Sequence, residues 1–290
     1  MKLLFPAVLL TGALVAVAAH AQVTLIDDTF SDGGRTNGAD VNDAQWHMIT
    51  TNTATTTVTA NALRTTAAAG APAHPHAIAY FNNTTLGVGD TLAFSFTFTS
   101  NETNYTQGAT NVRWGLFNMG GSQQSSDLLT ANVNTLYQNT TGYSVFGPRT
   151  TANNPVQIYS RSTNTTEDTT PISTAANVAI AGATANTTVS TFVTTPINAS
   201  LSLTRTVSGY DYSVGYAGTT FSGSFTTVTA TTFNMVDIWA ITNNSNSLTI
   251  DNVLVTYTAA AIPEPSSYAL FAGAAGMAGA LTLRRRGRKG

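Results

Sequence analysis

Residues 91–100, TLAFSFTFTS, place Leu92, Phe94, Phe96 and Phe98 at every second position, with Ala93, Ser95, Thr97 and Thr99 between them. A period of two puts three rings on one face of an extended strand and the small and hydroxylated residues on the other, whereas a helix would scatter them around its axis. INASLSLTRT repeats the alternation with Ile197, Ala199, Leu201 and Leu203. After a turn signal at Ser208-Gly209, Tyr210, Tyr212, Val214 and Tyr216 alternate again, which predicts a hairpin. In SLTIDNVLVTYT, Leu248 and Ile250 share one parity while Val253, Val255 and Tyr257 hold the other. A phase slip at Asp251-Asn252 predicts a β-bulge or a strand buried on both faces.

Composition points the same way. The chain carries 53 Thr, and a β-branched residue fits a pleated strand better than a helix. No helical stripe stands out before Ile262. A dozen or so short antiparallel strands in one domain of about 240 residues must close into a barrel or pack as two sheets, and a β-sandwich suits this size. Two Thr-rich stretches, 50–77 and 161–195, are poor in apolar bulk and read as long loops or edge strands.

The N-terminus reads as a secretory signal peptide over residues 1–21. Lys2 precedes an apolar run and then Ala19-His20-Ala21, so cleavage after Ala21 would leave Gln22 first. With no Cys in the chain, an exported fold must rest on apolar burial rather than disulfides. Residues 22–261 hold eleven Asp and two Glu against six Arg and no Lys, a formal charge of −7. An acidic surface repels a phosphate backbone, which argues against nucleic-acid binding.

The C-terminus has three parts: Pro263-Glu264-Pro265 in a stiff linker, an uncharged run over 268–283, and five positive charges from Arg284, Arg285 and Arg286 to Lys289. As a helix the run would span about 24 Å, just short of a bilayer's hydrocarbon core. Tyr268 and the arginines can reach the two interfaces, and the positive end would lie in the cytoplasm. This order resembles the PEP-CTERM sorting signal of Gram-negative bacteria over residues 262–289. The resemblance implies recognition by a membrane-embedded exosortase and removal of the tail, while signal peptidase would be the processing partner at the N-terminus. It also implies transient residence in the inner membrane, and delivery to the envelope or the extracellular matrix in bacteria that often make exopolysaccharide.

For the domain, LIDDTFSDGGRTNGADVNDAQWH at 25–47, VRWGLFN at 112–118, LSLTRTVSGYDYSVGY at 201–216 and LTIDNVLVTYT at 248–258 resemble the jelly-roll β-sandwiches of the concanavalin A-like lectin and glucanase group, and secondarily galactose-binding-like modules. In the latter the first segment and the last strand lie side by side and can share a structural calcium. The ligands implied here are Asp251 with Asp27, Asp28 or Asp32, although no DxDxDG spacing is present. The glucanases carry Glu-x-Asp-x-x-Glu on one strand, because glycoside hydrolysis needs two carboxyls about 5 to 9.5 Å apart. This chain lacks that pattern; the domain's only Glu residues are Glu102 and Glu167. There is no G-x-S-x-G elbow, no thiol and no H-E-x-x-H. His74 and His76, with His47, are the histidines that a metal would have to use.

Trp46, Trp114 and Trp239 are candidates to stack on sugar rings, the competing reading for Trp114 and Trp239 being core packing beside Val112, Leu116, Val236 and Ile238. The domain therefore reads as a non-enzymatic, structural or adhesive surface protein linked to exopolysaccharide, with a carbohydrate-binding module as the alternative and a glycoside hydrolase further behind.

Overall fold

A computed structural model describes residues 21–35, 42–50, 54–67, 75–100, 111–129, 136–148, 155–163, 170–172, 177–186, 195–240 and 247–261, together with Gly273 and Met277. Contacts divide the chain into two units, one of residues 1–21 with 261–290 and one of Gln22–Ala260. The signal segment up to His20, the sorting residues Pro263, Glu264, Pro265, Arg284, Arg285 and Arg286, and Glu102, Glu167 and His74 lie outside the described residues. Among the described residues no helix is long and apolar enough to cross a membrane.

Among the described residues the second unit has sixteen strands, in chain order β1 (Gln22–Asp28), β2 (Trp46–Thr50), β3 (Ala54–Val58), β4 (Leu63–Ala67), β5 (His76–Thr85), β6 (Thr91–Ser100), β7 (Asn111–Asn118), β8 (Leu128–Leu129), β9 (Thr141–Pro148), β10 (Pro155–Arg161), β11 (Asn177–Asn186), β12 (Ile197–Arg205), β13 (Tyr210–Tyr216), β14 (Thr219–Phe225), β15 (Thr232–Ala240) and β16 (Ser247–Thr258). They form two eight-stranded sheets. The first runs β14-β13-β12-β6-β16-β4-β3, with β1 also on β16; the second runs β11-β10-β9-β7-β15-β5-β2-β8. Pairing is antiparallel except between β2 and β8. The two last strands therefore sit inside the sheets, β16 between β6 and β4 and β15 between β7 and β5.

The period-two strands build the first sheet. Phe94, Phe96 and Phe98 face inward, opposite Leu201, Ala199 and Ile197 of β12, and the hairpin at Ser208-Gly209 joins β12 to β13 as expected. The phase slip is a bulge: the β16–β6 register shifts between Asp251 and Leu254, with Asn252 at a left-handed φ of 50°. β1 lies beside β16, pairing Asp28 with Val253 and Asp27 with Leu254. The described parts of the two Thr-rich stretches include edge strands β3 and β11.

Rings join the two sheets. Trp114 of the second sheet stacks on Tyr216 of the first at 5.3 Å and meets Phe96 edge-on at 6.0 Å. Tyr143 contacts Phe225 at 5.1 Å and Tyr210 at 5.3 Å. Gly147 leaves room for this packing, since a Cβ there would stand 2.7 Å from the Tyr216 ring. Burying so many rings between two sheets gives a disulfide-free domain its main stabilisation, at about 25 cal/mol per Å² of apolar surface.

Candidate functional site

The central strands of the second sheet are buried on both faces, and its outer face carries the chemistry. There Ile49, Ile78, Phe117, Met119, Tyr137, Phe146, Ile172, Met235 and Trp239 form an apolar cluster separate from the inter-sheet core. The register sets polar groups among them. One row across the sheet reads Ile49, His76, Trp239, Arg113, Phe146 and Gln157. The next reads His47, Ile78, Asp237, Gly115, Ser144 and Tyr159.

At one end of this face an open cleft of about 510 Å³ is lined by Asp43, Ala44, Gln45, His47, Tyr80, Gln123, Gln124 and Ser125. His47 comes from β2, Tyr80 from β5, and the other residues from the segments before β2 and before β8. The His47 and Tyr80 rings lie 5.9 Å apart at 49°. Gln124 fixes the floor: its Nε2 donates to the carbonyls of Ser126 (2.6 Å) and Met48 (3.1 Å), and its Oε1 accepts from Tyr137 Oη (2.5 Å). Its backbone N–H donates to Tyr80 Oη at 3.1 Å. Gln45, Gln123 and Ser125 are exposed at the rim.

Behind the cleft, Arg35 donates both terminal nitrogens to Asp127, at 2.8 and 2.6 Å, and Met48 N–H donates to the same carboxylate at 2.9 Å. Burial alone would raise the Asp127 pKa; the Arg35 and Met48 hydrogen bonds outweigh it and hold it below the ordinary range. Burial lowers the His47 pKa, and burial raises that of Tyr80. At neutral pH the cleft therefore presents a neutral imidazole, a protonated phenol, amides, a hydroxyl and the Asp43 carboxylate. Such groups hydrogen-bond hydroxyls and offer flat faces to a ring.

Deeper on the same face, His76 Nδ1 and Asp237 Oδ2 lie 2.8 Å apart, both residues buried. Burial pushes the Asp237 pKa up, against the opposing pull of His76 and Arg161. Asp237 Oδ1 has no hydrogen-bond partner. Arg161, fully buried, donates to the carbonyls of Tyr137, Thr140, Thr170 and Pro171 and so ties two loops to β10. Arg113 is gripped between two rings, its Cζ 4.0 Å from the Phe146 centroid and 4.1 Å from that of Trp239.

The other residues singled out in the sequence divide by face. Trp46 and Trp114 are core residues, 1% and 0% exposed. This corrects their assignment to sugar stacking: their parity points them between the sheets, and Trp46 Nε1 donates to Asp28 Oδ2 at 2.6 Å. Trp239 lies on the outer face, 7% exposed and packed against His76 and Arg113. Asp28 turns inward; besides the indole it accepts the Phe30 N–H at 2.8 Å, and burial pushes its pKa up. Asp27 turns outward, lining with Asn252 a second cleft of about 510 Å³ on the first sheet. Asp32 accepts the Gly34 N–H at 2.9 Å, and Asp251 the Asn252 N–H at 2.7 Å. Among the described residues no three His, Asp or Glu side chains gather as a metal site. Sequence reasoning missed Tyr80, Gln124, Arg113 and Arg161, whose partners all lie far from them in the chain or on other elements.

No family model matches the chain, and no curated protein matches it. Similar solved structures include the potassium-bound carbohydrate recognition domain of Emp46p, at 11% identity over 76% of this chain and 90% of that one, with a TM-score of 0.44. The basic winged bean lectin with Tn-antigen matches at 10% identity over 82% and 98%, with a TM-score of 0.45. The winged bean acidic lectin complexed with methyl-alpha-D-galactose matches at 11% identity over 83% and 99%, with a TM-score of 0.46. At these values the likeness carries no argument about a ligand.

Proposed function

We propose that this chain is an exported, non-enzymatic surface or matrix protein whose β-sandwich holds polysaccharide in the cleft beside His47 and Tyr80. The observation that carries the binding reading is the lining of that cleft: two rings beside exposed Gln45, Gln123 and Ser125, on a floor fixed by Gln124. Exposed amides and a hydroxyl beside the Tyr80 ring suit sugar hydroxyls and ring C–H surfaces. The absence of a glucanase carboxylate pattern in the sequence favours binding over hydrolysis. Export and sorting rest on the residue patterns at 1–21 and 262–289, which would make signal peptidase and an exosortase its processing partners.

The test of the cleft is retention of the purified full-length chain on immobilised plant, algal and bacterial polysaccharides, alone and as the double variant Gln45→Ala with Gln123→Ala. Each lost hydrogen bond is worth about 1 kcal/mol, so the pair should weaken binding roughly tenfold or more. Because both side chains are exposed, the melting temperature should hold. Equal retention of both proteins, or none on any polysaccharide, refutes the reading. Mass measurement of protein from its own cells tests the sorting half, which fails if Arg288-Lys289-Gly290 remain attached.

A further inference from the structure

The partly or fully buried arginines of the described domain are accounted for with one exception. Arg35 forks onto Asp127, Arg161 has four carbonyls, and Arg205 donates to Gly209 O at 2.6 Å. Arg113 is 8% exposed, yet its guanidinium has no acceptor and no carboxylate. Its Nε is buried without a partner, and 8% of the residue's surface stays open to solvent. Burial lowers its pKa to about 10, so it stays cationic at neutral pH. An unpaired buried cation is costly, and the Phe146 and Trp239 faces offset only part of that cost. Among the described residues no carboxylate pairs with it, and the carboxylate in the neighbouring row of the face, Asp237, is engaged by His76.

We propose that Arg113 reads an anionic group, a carboxylate or a sulfate ester, on an acidic saccharide bound to the outer face of the second sheet. The proposal rests on the polysaccharide reading for the class of ligand and on Arg113 alone for its charge. The guanidinium fork presents donors that match the paired oxygens of either group. The two flanking rings hold it in place before the ligand arrives, which limits the ordering cost. Tyr159, half-buried and stacked on Phe146 at 4.0 Å, gives an aromatic surface beside the charge for the sugar that carries it. The domain's net negative charge repels polyanions in general, so retention of an acidic glycan demands a local cation of this kind.

The experiment is calorimetric titration of the full-length chain with tetragalacturonate, with a sulfated galactan tetrasaccharide, and with neutral galactotetraose. Wild type is compared with Arg113→Gln, Arg113→Lys and the cleft double variant. The expected result is binding of one or both acidic probes that is at least tenfold weaker in Arg113→Gln, only partly restored in Arg113→Lys, and weakened by added salt. The two acidic arms tell carboxylate from sulfate. A structural role would lower the melting temperature of Arg113→Gln, whereas a ligand-reading role leaves it level or raised. Should Arg113→Gln not fold, the proposal stands or falls on wild type, by preference for an acidic over the neutral probe and its salt dependence.

Acidic and neutral probes bound equally, or acidic binding that survives Arg113→Gln, overturns the anion reading and leaves the cleft standing. Acidic binding lost in Arg113→Gln, with no neutral binding, supports Arg113 and counts against the cleft. No binding of any probe overturns both.

Discussion

Replacing Phe96 by Ala should cost this protein about 4 kcal/mol, because the site cannot close over the hole. Phe96 is 2% exposed and touches Phe94 at 5.5 Å, Phe98 at 5.9 Å and Trp114 of the facing sheet at 6.0 Å. Truncating a buried Phe loses about 3–5 kcal/mol in transfer and cavity terms together. The upper part of that range applies where the walls are rigid. Here both walls are central strands of eight-stranded sheets, and the hydrogen-bonded ladder on either side of β6 holds its backbone in place. For a domain of this size each kcal/mol moves the melting temperature by about 2–4 °C, so the midpoint should fall by roughly 8–16 °C. Circular dichroism melts of the full-length chain read this directly. The control is Ser95→Ala, one residue away on the opposite face, which should stay within about 0.5 kcal/mol of wild type. A Phe96→Ala loss below about 1 kcal/mol, or a Ser95→Ala loss as large as that of Phe96→Ala, would refute the two-sheet packing.

Trp46→Phe removes the donor on the buried Asp28 carboxylate and should cost about 1–3 kcal/mol near neutral pH. A carboxyl pushed up by burial favours its neutral form in the fold, so that loss should shrink as pH falls through its folded pKa; chemical denaturation at pH 7 and near pH 4 checks this, and an equal loss at both sinks it. Asp127 is the opposite case: held below its ordinary pKa, it stabilises above the unfolded value and loses that contribution as pH falls through the folded one. Asp127→Asn should therefore be less stable near neutrality and show a flatter acid limb in melting temperature against pH, and an unchanged limb would refute the assignment. Gly120→Ala should destabilise by more than about 1 kcal/mol in the same melts, since φ is +67° and the new Cβ would strike the Asn139 carbonyl; no change would contradict that turn.

How much of this was legible depended on which sheet a strand joins. The first sheet has one face in water, so Leu92 to Phe98 and Tyr210 to Tyr216 alternate cleanly and announced both strand and facing. The slip at Asp251-Asn252 likewise told of the bulge. The second sheet is covered on both sides, so β5 (HAIAYF) and β15 (NMVDIWA) run apolar without a period. In VRWGLFN the parity of Val112, Trp114 and Leu116 marked the core, while on the other parity Phe117 is buried in the outer cluster and Arg113 is buried against its Phe146 and Trp239. The cleft was hidden for a different reason. Tyr80 and Gln124 stand 44 residues apart in sequence and meet through a single hydrogen bond, and nothing local in the chain encodes such a meeting.

Placing β15 and β16 in the interior of the two sheets also governs the order in which the protein can become whole. Synthesis runs from the N-terminus, and long-range strand pairing is slow to close. Until Ser247–Thr258 has emerged, β6 has an open flank beside β12 and β1 has no partner at all; until Thr232–Ala240 has emerged, β5 and β7 are strangers. A chain stopped short of either strand is thus an unsealed pair of half-sheets with bare edges, prone to stick to its neighbours. Closure of both sheets waits on these two late strands.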